Sequence, residues 1–372
     1  MSTATATITP DTDTIPDSVE LAAAIGPELA AHAARHDLDG TFVAESYAAL
    51  RSSGLLALAV PVELGGSGAT IAEVAQVQRE LAHHCGSTAL ASAMHQHVVS
   101  FTAWRYRRGL PGAEATLKRV AEEGIVLVST GGADFVDPRG TATKVEGGYR
   151  VSGRKVFASQ STGGAVMSTM FAYDDPTEGR RVLNMSVPFA SEGVTIADNW
   201  DTLGMRGTAS NDVILDDVFV PDERVVANRP HGVVDPPLQV ILSVAMPIIA
   251  GVYLGIAEAA YAEAKAAAFP GNERQLGLMR HKLQVAGWAL DGALGVVGDD
   301  PQPSLDTVDA VMIAKREIAL AGIEVVDLAM EVAGGRAFFK GSVIERAYRD
   351  IRAAKFHPFT PEATLLQLGE RA

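Results

Sequence analysis

Histidines in two places give this 372-residue chain side chains suited to proton transfer. His357 lies in the largely apolar string Phe356–His357–Pro358–Phe359. An imidazole there titrates near neutral pH and acts as base or acid, or it simply packs at the start of the tail. His95 and His97 are two residues apart in a helical stretch and cannot share one helix face. At most one of them points inward, and His97 is the expected one. A second group is Ser129–Thr130, two hydroxyls that close a short apolar run. Gly131 and Gly132 follow, and they permit a close backbone approach to a phosphate. In the third group, Lys155, Phe157 and Ser159, the alternate spacing puts all three on one strand face.

The elements that must position these residues are marked by changes of texture. Residues 1–17 are rich in Thr, Asp and Pro and read as a flexible tail. Residues 18–123 carry apolar side chains at helical spacing, with a helix end at Gly54 and a turn-rich loop from Pro61 to Gly68. One long helical run is expected from Ile71 to about Arg107. Residues 124–232 alternate and turn at Gly147–Gly148, the pattern of a small antiparallel, barrel-like β domain. Residues 233–372 return to helix, over 238–268, 273–297, 303–333 and 341–354, which predicts a four-helix bundle. The fold class is therefore mainly α with a central β domain.

Net charge is −14, from 31 basic and 45 acidic side chains, which excludes a sequence-independent nucleic-acid binder. The single cysteine, Cys85, leaves no intramolecular disulfide and no thiolate metal cluster. The N-terminus lacks the basic start and apolar stretch of a signal peptide, so a cytoplasmic protein is expected. The apolar stretch from Leu238 to Ala260 is interrupted by Gln239, Ser243, Pro247 and Glu258, and reads as a buried helix rather than a membrane span.

Four strings, in order, resemble the acyl-CoA dehydrogenase superfamily: LRSSGLLALAVPVELGGSGAT, VSGRKVFAS, LGMRGTASNDVILDDVFVPDERV, and EVAGG followed by IERAYRDIRAAKF. The resemblance covers nearly the whole chain after the tail. It implies FAD, with FMN the alternative, held between the β domain and the bundle of a homotetramer or dimer. It further implies that Ser129, Thr130 and Gly132 face the flavin pyrimidine edge and phosphate, that Phe157 lies against the ring, and that Ser159 faces N5. Arg206 is implied as a phosphate-proximal or structural arginine, and Gly334–Gly335 as the turn near the adenosine. The family's R-x-x-F-G string is absent; AAAFPGNERQLG stands in its place, with Arg274 the nearby candidate.

The family's dehydrogenase reaction needs a glutamate over the substrate α-carbon. Aligned from Arg349–Asp350, Pro358 occupies the commoner glutamate position; the second position falls at Ala245–Met246. Glu362 is the nearest downstream carboxylate. His357, His97 and Ser159 are then the candidate catalytic residues. The leading reading is α,β-dehydrogenation of an acyl-CoA with a non-standard base, an electron-transfer flavoprotein being the implied partner. The alternatives are a two-component monooxygenase that takes reduced flavin from a separate reductase and uses O2, and a non-catalytic flavin- or acyl-binding subunit of a hetero-oligomer.

Overall fold

In a computed structural model, residues 17–130 and 134–372 are described. Gly131, Gly132 and nearly all of the N-terminal tail lie outside them. Five helices come first: α1 (Ser18–Asp39), α2 (Ala44–Ser52), α3 (Ile71–His84), α4 (Gly86–Arg107) and α5 (Ala113–Glu123). Asp17 caps α1 by accepting the Val19 N–H. Thr70 and Glu73 close a reciprocal capping box on α3. The single run expected from Ile71 to Arg107 is two helices, because Cys85 is extended (φ −151°, ψ 103°) and its sulfur caps α4 by accepting the Thr88 N–H.

The middle of the chain forms one eight-stranded sheet in the order β6-β7-β3-β2-β4-β5-β8, with β1 on β4. The strands are β1 (Leu127–Ser129), β2 (Thr141–Val145), β3 (Gly148–Lys155), β4 (Val166–Asp175), β5 (Gly179–Pro188), β6 (Val194–Ile196), β7 (Val213–Pro221) and β8 (Val225–Pro230). The sheet is mixed, not antiparallel throughout as the hairpin signals suggested: β1 and β2 both run parallel to β4. Turn residues report pairing only between neighbours in sequence, and these pairs are not neighbours. The sheet buries its own core, including Val128, Phe171 and Leu183, and this is separate from the helical core.

The closing helices are α6 (Pro236–Ala267), α7 (Glu273–Val297), α8 (Leu305–Ala333), α9 (Val343–Asp350) and α10 (Pro361–Glu370). The fourth bundle helix is thus shorter than expected and gives way to a 3-10 turn over 351–355. Helix α6 is long and apolar enough to cross a membrane, but 94% of its most apolar window is buried inside the protein. It is the central post of the helical core. Gly251 and Gly255, one turn apart, let α3 come close: a Cβ at Gly251 would lie 2.7 Å from the Ala75 carbonyl oxygen, and one at Gly255 2.2 Å from that of Arg79.

Two buried ion pairs pin the segment that follows β1. Lys155 and Asp134 pair at 3.1 Å with both side chains almost wholly buried. Arg229 pairs with Asp235 at 2.7 Å and also donates to Phe135 O. Removing one member of such a pair strands the other charge in an apolar interior. Lys155→Met is therefore expected to lower stability by about 3–5 kcal/mol, read from the urea midpoint, and Lys155→Met/Asp134→Leu to regain most of it. A double variant no more stable than the single one would show that the pairing does not anchor this segment.

Candidate active site

Helix α4 presents its two histidines to different surroundings. His95 is wholly buried: its Nδ1 accepts the Leu127 N–H at 3.0 Å and its Nε2 faces Leu56 O at 2.8 Å. A backbone donor on one nitrogen and a carbonyl on the other fix a neutral ring with the proton on Nε2. Burial holds its pKa down at about 4. His95 is a satisfied structural residue. His97 faces elsewhere, and its Nε2 lies 3.0 Å from Ser129 Oγ at the end of β1. Burial, then the neighbouring His95, also holds His97 at about 4.

His357 arrives from the other end of the chain. Burial pushes it down to about 3, helped by the Lys315 ammonium and by His97. The Tyr253 ring of α6 stands 5.7 Å from the His357 ring, tilted by 60°. The Tyr253 hydroxyl is buried without a hydrogen-bond partner, and burial raises its pKa well above the ordinary range. His97, Ser129 and His357 thus belong to one cluster of neutral groups, with Tyr253 beside it.

A second group of hydroxyls lies at the ends of β1 and β3. Thr130 Oγ1 donates to Thr169 Oγ1 at 2.7 Å, and Thr130 N–H to Ser168 O. Ser159 Oγ shares a 2.8 Å bond with Ser210 Oγ, which continues at 2.7 Å to Thr208 Oγ1. The one-face expectation for Lys155, Phe157 and Ser159 fails. Strand β3 stops at Lys155, which points inward, and Phe157 takes a left-handed conformation (φ 57°) that turns its ring outward, 63% exposed. That ring meets Trp200 edge-to-face at 6.0 Å. Gln160, Met205 and Ala209 also have positive φ. These loops hold one another, since Gln160 N–H donates to Thr208 O and Ala158 N–H to Asn211 O. Gln160 ties them to the rest, accepting from Tyr47 and donating to Leu127 O.

Arg206 is committed elsewhere. Its guanidinium donates to Asp37 O and Leu38 O at the end of α1, and to Thr202 O. That is the structural member of the two roles expected for it. Gly334 and Gly335 sit exposed after α8, with nothing within 4 Å of where a Cβ would be. Glu362 is exposed in the first turn of α10, and Ala245 and Met246 are buried in α6. A cavity of about 1000 Å³ between α1, α3, α6 and α7 is lined by Arg79, His83, Glu258 and Arg280, among others, and by none of the candidate residues.

Tyr253 and Lys315 were missed in the sequence. Tyr253 is hidden in an apolar helix that gives no polar contrast. Lys315 left a signal: it falls on the stripe Val308, Val311, Met312, Ile318, Ala319, Gly322, where every other member is buried and apolar or glycine.

The family model for the acyl-CoA dehydrogenase N-terminal domain matches residues 13–107, and that for its C-terminal domain matches 265–362. An L-evernosamine nitrososynthase of Micromonospora is 29% identical over 91% of this chain and 85% of its own length. An amino sugar nitrososynthase of Streptomyces rubradiris is 30% identical over 90% and 84%. A putative acyl-CoA dehydrogenase of Bacillus subtilis is 27% identical over 94% of each. Among solved structures, KijD3 in complex with FMN and a dTDP-3-amino sugar superposes with a TM-score of 0.86, at 26% identity, covering 97% of this chain and 95% of that one.

His95, wholly buried, and His97, partly buried, set an acid limit on the fold. In the unfolded chain they titrate near 6.5; folded, His95 and His97 are held near 4. Between those values the unfolded chain binds more protons, so stability is full above about pH 6.5 and falls as pH drops towards 4. Asp350, raised to about 6, acts in the opposite direction below that value, so the imidazole effect is read by comparison: the urea midpoint should fall more steeply across this window in the parent than in His95→Gln. The same pH dependence in parent and His95→Gln would show that the His95 ring is not held neutral.

Proposed function

The chain belongs to the acyl-CoA dehydrogenase superfamily, and from that premise we propose that it is a flavin-dependent monooxygenase that takes reduced flavin from a separate reductase and oxygenates a small amine. The observation that carries this reading is the character of the cluster. Among the described residues the charged or titratable groups acting on His357 are Lys315 and His97, and no carboxylate is among them. Removal of an α-proton from a thioester calls for a poised base whose pKa lies near the working pH. Imidazoles held at about 3 and 4 are weak bases at the positions available. The dehydrogenase reading therefore gives way to its alternative, in keeping with the named activities of the nitrososynthase relatives and of an isobutylamine N-hydroxylase that is 27% identical.

The residues present suit a flavin. Hydroxyls at Ser129, Thr130 and Ser159 offer hydrogen bonds at strand ends, and Phe157 offers an open aromatic face. FMN is favoured over FAD. Support comes from the FMN complex of a relative, from the missing R-x-x-F-G string, and from the commitment of Arg206 to α1. An exposed apolar stripe on α7, Val285, Trp288 and Val296, supports a homo-oligomer.

A reduced flavin supplies the two electrons with which O2 is split, one oxygen atom going to the substrate and the other to water. The protein's part is to bind the amine as its free base. With the Lys315 ammonium acting on His357 and no carboxylate acting on it, the cluster does not stabilise a second cation, so the amine keeps its nitrogen lone pair for oxygen. Oxygenation leaves a far more acidic N–H, and a weak base suffices to accept that proton. His357 and His97 are the groups we assign to accept it, and the contact of His97 with Ser129 supports an oriented ring.

The test supplies reduced FMN, 18O2 and a panel of amines, and follows labelled N-oxygenated product by mass spectrometry. His357→Ala should lower product formation by roughly 100-fold or more while hydrogen peroxide release rises. Bleaching of the bound oxidised flavin by an acyl-CoA thioester without oxygen would restore the dehydrogenase reading.

A further inference from the structure

We propose that Lys315 is a positioning residue for His357, its ammonium clamping the short segment that carries the imidazole. The inference rests on the reading of His357 as a proton-transfer group, and it concerns how that group is held. Lys315 lies on the buried face of α8 and is 2% exposed. Its Nζ donates to the carbonyl oxygens of His357 and Phe359, on either side of Pro358. Among the described residues no carboxylate pairs with it. An unpaired ammonium in an apolar interior is costly, and an apolar residue would fit the stripe without that cost. Two carbonyls turned towards one cation are what offset it.

The segment has little else to hold it. It lies between the 3-10 turn over 351–355 and α10, in neither a helix nor a strand. Phe356 N–H closes the preceding turn on Ala353 O, and Thr360 caps α10. Between them, the backbone hydrogen bonds of His357 and Phe359 are those from Lys315. The clamp thus sets where the imidazole stands relative to Tyr253 on α6 and His97 on α4. The same cation acts on the ring electrostatically. With burial and His97, it keeps His357 unprotonated, and burial pulls Lys315 itself down to about 8. The clamp is therefore fully charged below that value and loosens as pH rises through it.

The experiment uses the full chain with its histidines 13C-labelled at Cε1, the His357 signal being assigned by its loss in His357→Gln. Lys315→Met removes charge and donors at similar volume, and Lys315→Gln keeps an amide donor. In Lys315→Met the His357 titration should move to higher pH, and product formation should fall about 100-fold with little change in KM. Lys315→Gln should lose less turnover while showing the same direction of titration shift. A purely structural lysine would lower stability without moving the His357 titration. Should Lys315→Met not fold, Lys315→Gln alone carries the test. An unmoved titration and parental turnover in the folded variants overturn the clamp. Full turnover in His357→Ala, with the titration still shifted by Lys315→Met, overturns the proton-transfer reading and leaves the clamp standing.

Discussion

One uncharged imidazole joins the helical part of the protein to its sheet. His95 takes the Leu127 N–H at one nitrogen and gives its proton to Leu56 O from the other. Leu127 opens β1, Leu56 lies in the turn after α2, and His95 is in the middle of α4. Two buried backbone groups are bound by one side chain, which is possible only while the ring is neutral. The register of α4 against β1 follows from it. Two residues further along α4 is His97, and two residues further along β1 is Ser129, and these meet at 3.0 Å. The structural histidine thus sets the geometry of His97 against Ser129.

The same economy recurs where the third part joins. Asp350, at the end of α9, is buried and accepts the Met205 N–H; burial raises its pKa to about 6. Its neighbour Arg349 forks onto Asp37 of α1 and Glu345 of its own helix. Arg206, next to Met205, reaches back to the carbonyls of Asp37 and Leu38. Helix α1, the 201–208 loop and α9 therefore share one polar seam. Gly204 is the residue that lets the loop lie so close, since a Cβ there would be 2.5 Å from the Arg349 carbonyl group. An arginine that resembles a phosphate ligand in its string is used here to hold domains together.

The architecture was legible because it rests on local signals: helical periodicity, Gly54 and the Gly147–Gly148 turn, and four strings in order. The parallel pairings of β1 and β2 with β4 were not legible, since they join strands separated in sequence. Around the site the outcome divides by range. The expectation that only one of His95 and His97 points inward, and that it is His97, holds only in part: both reach β1, at Leu127 and Ser129, and His95 is the wholly buried one. The strand-face argument for Phe157 assumed extended backbone to Ser159, and the left-handed residue at 157 broke it. Nothing local announces a positive φ at phenylalanine; it is sustained by bonds to the 208–211 loop, some fifty residues away. Lys315 was legible in principle, as a charge on an otherwise apolar stripe, but its purpose depends on a segment more than forty residues later.

These placements bear on how one fold hosts different chemistries. A carboxylate over a substrate carbon is a useful base when an apolar site raises its pKa towards the working pH. At the two family positions this chain has Pro358 and Ala245–Met246, and the neighbouring side chains are rings that burial keeps neutral. Proline at 358 removes a charge and also a backbone N–H, so the segment offers carbonyls and no donor at that point. A buried lysine on α8 answers those carbonyls. The segment thus carries no anion of its own and is held by a cation. Around His357, burial disfavours charge on the ring and the Lys315 ammonium opposes a second cation.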